Sequence, residues 1–386
     1  MRHSTDRILT THAGSLPRPP DLKDMVNARS AGQPVDDQAL TRRVRDAVRE
    51  VVRKQLETGI DVVNDGELSK TNFTNYARER IGGYEVREYA PGQEPTPHSI
   101  CGRDLLEFRE YFETRPGWVG VGPSRRQVIC TGPLKYIGQQ ALQTDLANFK
   151  AALEGVQVAD AFLPAVAPGT IEHWLRNEYY ATDEEYLYAI ADAMHEEYKA
   201  IADAGFILQI DAPDLPDAWQ IYPDMTVPEY RKYAQVRVEA LNHALRGISP
   251  EQVRLHVCWG SYHGPHKYDI PLREIVDLVL SVPAQAYSIE ASNPRHEHEW
   301  RVWEDVKLPE GKILIPGVVS HCCDFVEHPE LVAQRLVQFA RLVGRENVIA
   351  GTDCGLGERV GHPSIVWAKF EALAEGARLA SRELWS

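Results

Sequence analysis

The chain has 386 residues, 43% of them hydrophobic, which is enough apolar material for one large barrel or two average domains. Its formal net charge of −14 argues against nucleic acid or an anionic membrane surface as the main partner. No run of about 18 apolar residues is present and the N-terminus lacks an apolar signal region, so no membrane span or export is expected. Six cysteines are too few for a disulfide scaffold, which favours a reduced, cytoplasmic protein.

Strand and helix patterns alternate along most of the chain, and this alternation predicts a parallel sheet. Ionisable residues end several of the strands, which favours a TIM (β/α)8 barrel over a doubly wound open sheet, because barrel sites lie at the carboxyl ends of the strands. Nine segments are strand candidates for eight places, and 161–166, which contains Pro164, is the weakest of them. The candidates are residues 7–15, 60–67, 128–133, 161–166, 206–211, 253–258, 286–290, 313–319 and 348–354.

A long irregular segment follows the second strand, from about residue 68 to residue 125. Pro91 and Pro97 indicate loops, and aromatic residues such as Phe112 and Trp118 could pack locally. Loops of this length are uncommon unless they are functional or folded as an insertion. We therefore expect one barrel domain over residues 1–386, with an inserted cap at about 68–125.

Metal-ligand residues occur at the ends of three predicted strands. His256 and Cys258 are two apart in the run 253–258, so in a strand they project from the same face, and Glu290 and Cys354 end two other strands. An isolated His-x-Cys is more often a buried cysteine beside a hydrogen-bonded histidine. Three separate strand ends with such groups favour a metal, and two thiols with an imidazole favour Zn²⁺ over magnesium or calcium. The spacing does not match a zinc finger, so we predict a catalytic zinc site that binds a substrate thiol.

Polar residues after three strands are candidates for binding the rest of a substrate. Gly14 and Ser15 form a turn whose backbone N–H groups and hydroxyl could hold a carboxylate, although alone the motif is only a turn. Asp211 ends a strongly apolar strand and could bind an ammonium group or cap the following turn. Glu67 allows the same two interpretations.

Three further features stand near predicted strand ends. His321 follows an apolar strand and could act as a general acid. Trp174 is either a core residue or an aromatic wall for a planar ligand. The run 295–300, Arg-His-Glu-His-Glu-Trp, looks like a second metal motif, but a solvated charged loop is the preferred interpretation.

Taken together, these pieces resemble the catalytic C-terminal domain of cobalamin-independent methionine synthase over nearly the whole chain, with 68–125 the least matched region. The resemblance implies a TIM barrel in which zinc binds the homocysteine thiolate for methyl transfer. The zinc ligands that it implies are His256, Cys258, Glu290 and Cys354. The residues that it implies for the amino-acid part of homocysteine are Gly14, Ser15, Glu67 and Asp211. It also implies that Trp174 lies under the ring of a folate and that His321 donates a proton.

Two alternatives remain open. The single-barrel form is also similar to epoxyalkane:coenzyme M transferase, which alkylates a different thiol at a His-x-Cys…Cys zinc site. Coenzyme M carries a sulfonate and no amino group, so Glu67 and Asp211 favour an amino-acid thiol. A metal-free barrel related to uroporphyrinogen decarboxylase, or a binding protein without catalysis, is the third hypothesis. The expected partners are a homocysteine-like thiol and a methyl donor of open identity, and the oligomeric state is open, with a homo-oligomer among the expected states.

Overall fold

The computed structural model describes residues 1–72, 75–90, 101–114 and 126–386. The strands within these residues are β1 (Leu9–Thr10), β2 (Val62–Val63), β3 (Ile81–Glu88), β4 (Arg126–Tyr136), β5 (Asp160–Val166), β6 (Arg176–Asn177), β7 (Ile207–Asp211), β8 (Val253–Val257), β9 (Ala286–Glu290), β10 (Ile313–Val319) and β11 (Ile349–Thr352). The helices are α1 (Pro20–Ser30), α2 (Asp37–Glu57), α3 (Asn75–Arg80), α4 (Gly102–Glu107), α5 (Arg109–Glu113), α6 (Gln139–Ala152), α7 (Pro168–Trp174), α8 (Asp183–Asp203), α9 (Asp214–Ile221), α10 (Val227–Ala244), α11 (Val276–Leu280), α12 (Val302–Asp305), α13 (Pro329–Val343) and α14 (Pro363–Leu384).

Eight strands form one parallel sheet, in the order β1-β11-β10-β9-β8-β7-β5-β2. The two end strands also approach each other, because the N–H of Asp61 donates to the carbonyl of Thr10 at 3.1 Å. The sheet is therefore a nearly closed barrel whose strands follow one another in chain order. The predicted TIM (β/α)8 barrel is confirmed, and the alternative prediction of an open doubly wound sheet is wrong.

The barrel strands are readable in the sequence because both of their faces are buried. Every residue of β7, β8, β9 and β10 is buried, which gives continuous apolar runs rather than alternation. The outer helices instead bury one face: α2 buries Val44, Val48 and Val51 at helical spacing and is capped by the Asp36 carboxylate. No helix in the described ranges is long and apolar enough to cross a bilayer.

The surplus strand candidate is the one at 128–133, not the one at 161–166. Residues 128–133 lie in β4, which pairs antiparallel with β3 and parallel with β6 in a separate three-stranded sheet. Residues 161–166 lie in β5, a barrel strand, so the ranking of this candidate as weakest is wrong. β2 pairs only with the first two residues of β5, so the strand beyond them has the single ladder partner β7, and a proline at Pro164 is tolerated there.

The segment between β2 and β5 contains α3, β3, α4, α5, β4 and α6. Because β4 ends at Tyr136, the non-barrel part of this segment extends beyond residue 125, the predicted end of the cap. Arg80, the last residue of α3, joins that helix to α6 and α8 through buried ion pairs with Asp145 and Glu197. The predicted loops at Pro91 and Pro97 and the aromatic Trp118 lie outside the described residues.

Candidate active site

Three of the four predicted metal ligands meet at the carboxyl end of the barrel. His256 lies in β8, Cys258 follows that strand, and Cys354 follows β11. One ligand atom of each residue lies within 4.8 Å of the others. The Sγ–H of Cys258 donates to the Sγ of Cys354 at 3.7 Å.

The electrostatics of this cluster suit a metal ion. The hydrogen bond from Cys258, supported by His256, lowers the pKa of Cys354 well below its usual value, although burial opposes the change. The same bond, in which Cys258 is the donor, raises the pKa of Cys258, and the two thiols titrate as a pair. The Nδ1 of His256 contacts the Ser288 hydroxyl at 3.1 Å, but its buried Nε2 has no hydrogen-bond partner among the described residues. A buried ring nitrogen left open beside two sulfurs fits the donor set of zinc.

Glu290, the fourth predicted ligand, is not part of this group. It ends β9, and its Oε2 accepts the backbone N–H of Trp259 at 3.0 Å while its Oε1 accepts the Asn293 amide at 2.9 Å. Its carboxylate instead forms a second group with His321 and Asp353, whose ligand-type atoms also lie within 4.8 Å of one another. The two groups are adjacent in the chain, since Cys354 follows Asp353.

His321 lies in the loop after β10 and is almost completely buried. Its Nε2 is 3.1 Å from the Sγ of Cys322, and its Nδ1 has no hydrogen-bond partner in the described part of the chain. The predicted acid therefore has one ring nitrogen available near the metal-ligand cluster.

The sequence reasoning did not single out Asp353. Its carboxylate accepts the backbone N–H groups of Ala291 and Ser292 at 2.8 and 2.9 Å and the Ser292 hydroxyl at 2.6 Å. Burial, followed by the charge of Glu290, raises its pKa to about 8. Its position at a barrel strand end, directly before Cys354, was the signal that could have found it.

The two predicted acidic residues lie beside the Gly14 turn. The side-chain amide of Gln209 donates both to the carbonyl of Ala13 at 2.5 Å and to the Oδ1 of Asp211 at 2.6 Å. A Cβ on Gly14 would lie 2.6 Å from the Oε1 of Glu67, so only glycine leaves room for that carboxylate. Burial raises the pKa of Glu67 to about 8 and that of Asp211 to about 6. The buried ammonium group of Lys70, 3.8 Å from Oε2 of Glu67, opposes both shifts, and a further cation bound beside the two carboxyl groups would lower both pKa values.

The backbone groups of Gly14, predicted to help hold a carboxylate, have partners within the protein. The N–H of Gly14 donates to Nδ1 of His12 at 3.3 Å, and its carbonyl accepts the Asn64 amide at 3.1 Å. Both backbone polar groups of Gly14 are therefore hydrogen-bonded within the protein. Ser15 is half-buried and packs against Gly355, the residue after Cys354. Ser15 is thus the part of the turn that faces the metal-ligand cluster.

Trp174 is the last residue of α7 and is 37% exposed. Its ring contacts that of His173 in an edge-on arrangement at 5.3 Å. Trp174 is a partly exposed residue at the far end of a helix that begins at the barrel mouth, and its ring contacts His173.

The prediction of a solvated loop at 295–300 is wrong. His296 and Glu299 are buried, and both ring nitrogens of His296 are hydrogen-bonded, to Glu299 at 2.9 Å and to Asp269 at 3.0 Å. Asp269 comes from the loop after β8, about 27 residues earlier, so this pairing is not visible in the local pattern.

Comparison with known proteins agrees with the architecture. The model of the cobalamin-independent synthase catalytic domain matches residues 8–90 and 141–372. Methionine synthases of Thermococcus kodakarensis and Sulfolobus acidocaldarius are each 26% identical, over 97% and 90% of this chain and 94% and 85% of theirs. A B12-independent methionine synthase from Shewanella sp. W3-18-1, solved with selenomethionine, superposes with a TM-score of 0.71 at 19% identity, covering 98% of this chain and 99% of its own. The chain belongs to the family of cobalamin-independent synthase catalytic domains.

Proposed function

We propose that this protein is a zinc-dependent methyltransferase that methylates the sulfur of homocysteine to give methionine. The observation that carries the proposal is the open Nε2 of His256 beside the sulfurs of Cys258 and Cys354, at the same barrel mouth as Glu67 and Asp211. The names of the two archaeal relatives, both methionine synthases, agree with it.

His256, Cys258 and Cys354 would hold the metal, with Glu290 as the predicted fourth ligand. A zinc ion bound there supplies Lewis acidity that lowers the pKa of a substrate thiol, so that the thiolate is present at neutral pH. The donor set of two sulfurs and one imidazole suits zinc better than a hard cation such as magnesium.

The residues of the chain have separate tasks in the transfer. Glu67 and Asp211 bind the substrate ammonium group, and Ser15, placed by the turn at Gly14, orients its carboxylate. The substrate sulfur forms the new bond to the methyl carbon while the bond from that carbon to the donor breaks, and its electron pair leaves with the donor. His321 supplies a proton from a ring nitrogen to that leaving group, with Glu290 and Asp353 close enough to stabilise the protonated ring.

Coenzyme M alkylation is less well supported by the site. Its sulfonate would have to approach the Glu67 and Asp211 carboxyl groups, which are buried and suited to a cation. The amino-acid thiol therefore remains the better acceptor.

The first test is metal analysis of protein never exposed to chelator, followed by thiol binding to a cobalt-substituted sample. We expect about one zinc per chain and a thiolate-to-cobalt charge-transfer band with homocysteine but not with coenzyme M. A preference for coenzyme M would favour the alternative chemistry, and protein without stoichiometric metal would exclude the proposal.

A variant pair tests the ligand assignment. Cys354→Ala should lose both zinc and methyl transfer, because it removes one of the three clustered donors. Cys323→Ala is the matched control, since Cys323 lies outside the clustered donors and contacts Lys369 at 3.9 Å. A Cys354→Ala protein that retains zinc and activity would contradict the assignment of Cys354 as a metal ligand.

A further inference from the structure

A network of buried ionisable side chains lies behind the metal-ligand cluster, and the proposed reaction does not use it. The Oδ2 of Asp269 accepts from the Nδ1 of His266 at 2.7 Å and from the Nε2 of His296 at 3.0 Å. The other nitrogen of His296 bonds to Glu299 at 2.9 Å. All four side chains are buried, so water does not compete for these contacts.

The geometry fixes the protonation of both rings. A neutral imidazole carries one N–H, and an ionised carboxylate can only accept hydrogen bonds. Both nitrogens of His296 face carboxylates, and the nitrogens of His266 face Asp269 and the carbonyl of Tyr262, so a protonated ring satisfies all four contacts by donating from both nitrogens. Burial alone would lower the pKa of His296, but the bonds to Asp269 and Glu299 outweigh it and raise that pKa to about 10. His296 is therefore an imidazolium ion at neutral pH, and the bond to Asp269 raises the pKa of His266 although burial opposes it.

These rings have no nitrogen left for a metal ion. Each of the four ring nitrogens already has a hydrogen-bond partner at 3.0 Å or less. The His-rich run at 295–300 is consequently not a second metal site, although it has the composition of one. Its function has to be sought in what the cationic rings touch.

His296 touches the residue that follows a metal ligand. Its ring stacks on the indole of Trp259, with centroids 3.9 Å apart and planes inclined by 22°. The indole N–H of Trp259 donates to the carbonyl of Ile270 at 2.7 Å, so one face and the N–H edge of the ring are held. The backbone N–H of Trp259 in turn donates to Glu290 at 3.0 Å.

We propose that His296 is a positioning residue of the metal centre, which fixes Trp259 by stacking and so sets the orientation of Cys258 and Glu290. The peptide unit between Cys258 and Trp259 is bonded to Cys258, and its N–H donates to Glu290. A movement of this unit therefore moves both side chains. A cation over an indole face is also attracted by the ring electrons, which strengthens the stack. The inference rests on the proposed function only in taking Cys258 as a metal ligand.

The decisive comparison is His296→Gln against His298→Gln, which changes an exposed histidine of the same short turn. Residues that orient metal ligands typically change metal affinity by about 10- to 100-fold when replaced, so His296→Gln should bind zinc more weakly by that factor. Zinc affinity is measured by chelator competition on metal-free protein, and the cobalt d–d absorption should shift as well. His298→Gln should match the wild type in both measurements.

A second variant and an NMR measurement on the wild type keep the inference testable if the His296→Gln protein misfolds. Trp259→Phe keeps the backbone N–H but shortens the stacked ring, and it should weaken zinc binding and shift the cobalt spectrum in the same direction. Nitrogen-15 NMR of the wild type near neutral pH should show both ring nitrogens of His296 protonated, with the signal identified by its loss in His296→Gln.

Wild-type zinc affinity and cobalt spectrum in folded His296→Gln or Trp259→Phe would overturn the inference, as would a neutral His296 ring. Failure of the proposed function gives a different result. If the wild type binds zinc but transfers no methyl group, the methyltransferase proposal fails while the affinity difference between the two histidine variants still stands.

Discussion

Asp214 should make the protein less stable at neutral pH than it would be with asparagine at this position. It is the first residue of α9 and is 3% exposed. Its Oδ1 accepts the Thr170 hydroxyl at 2.6 Å, and its Oδ2 packs against Gly169, where a side chain would collide with it. Burial raises the pKa of Asp214 to about 6, even though Thr170 and Arg237 oppose the change.

The sign and size follow from proton linkage. Below the ordinary pKa of 3.8 the carboxyl group is protonated in both states and contributes no difference. Between that value and about 6, the unfolded chain releases the proton while the folded chain keeps it, so the free energy of unfolding falls as the pH rises. Above it the full penalty applies, and the gap between the two pKa values corresponds to about 3 kcal/mol at about 1.4 kcal/mol per pH unit.

Asp214→Asn removes this penalty and keeps an oxygen for Thr170. Urea unfolding should therefore show a variant stabilised by up to about 3 kcal/mol near pH 8 and by much less near pH 4. Asp46→Asn, at an exposed position in α2, is the matched control and should change little at either pH. The same stability difference at both pH values for Asp214→Asn would refute the reasoning.

Three further changes have defined outcomes. Arg80→Met should cost about 3–5 kcal/mol of unfolding free energy in urea melts, because it leaves two buried carboxylates without their cation, whereas the exposed Arg87→Met should stay near the wild type. Gly14→Ala should raise the KM for homocysteine while zinc content stays constant, since its Cβ would displace the Glu67 carboxylate; an unchanged KM would separate this turn from the acceptor site. Asp211→Asn should raise the same KM by at least about tenfold in steady-state assays, as expected for loss of a charged hydrogen bond worth about 1.5–3 kcal/mol, and a change in kcat alone would contradict the ammonium-binding role.

The barrel could be predicted because each of its strands is recognisable from a local apolar run. Which strands pair with one another could not be predicted in the same way. The run at 128–133 begins with apolar residues, as the barrel strands do, although only Ile129 and Cys130 of it are buried. It belongs to another sheet because β3, about 40 residues earlier, pairs with it, and short patterns contain no information on such partners. The proline at Pro164 made residues 161–166 look like the weakest strand candidate. A barrel strand accepts it there because that stretch is paired along one edge only.

Much of the site was predictable for a related reason. The spacing of His256 and Cys258 places them on one face of a strand, and the carboxyl ends of parallel strands converge on one mouth, which brings in Cys354 and Asp211. The grouping of Glu290 depends on loops and was not predictable from the strand pattern. Glu290 groups with His321 and Asp353, because backbone N–H groups of the loops fix both carboxylates.

The register of the barrel connects the thiol and amino ends of the proposed substrate. Asp211 of β7 is paired in register with His256 of β8, and neighbouring strands lie about 4.8 Å apart. Gln209 lies on the same face of the strand as Asp211. Its side-chain amide donates to both the Asp211 carboxylate and the Ala13 carbonyl, which links Asp211 to the Gly14 turn. A sulfur held beside His256 is therefore about one strand spacing from a carboxylate that suits an ammonium group. A short aliphatic amino acid with a terminal thiol spans this distance, whereas a thiol whose far end is an anion would place like charges together. With the thiol placed at His256, the strand register thus favours an amino-acid thiol over a sulfonate thiol.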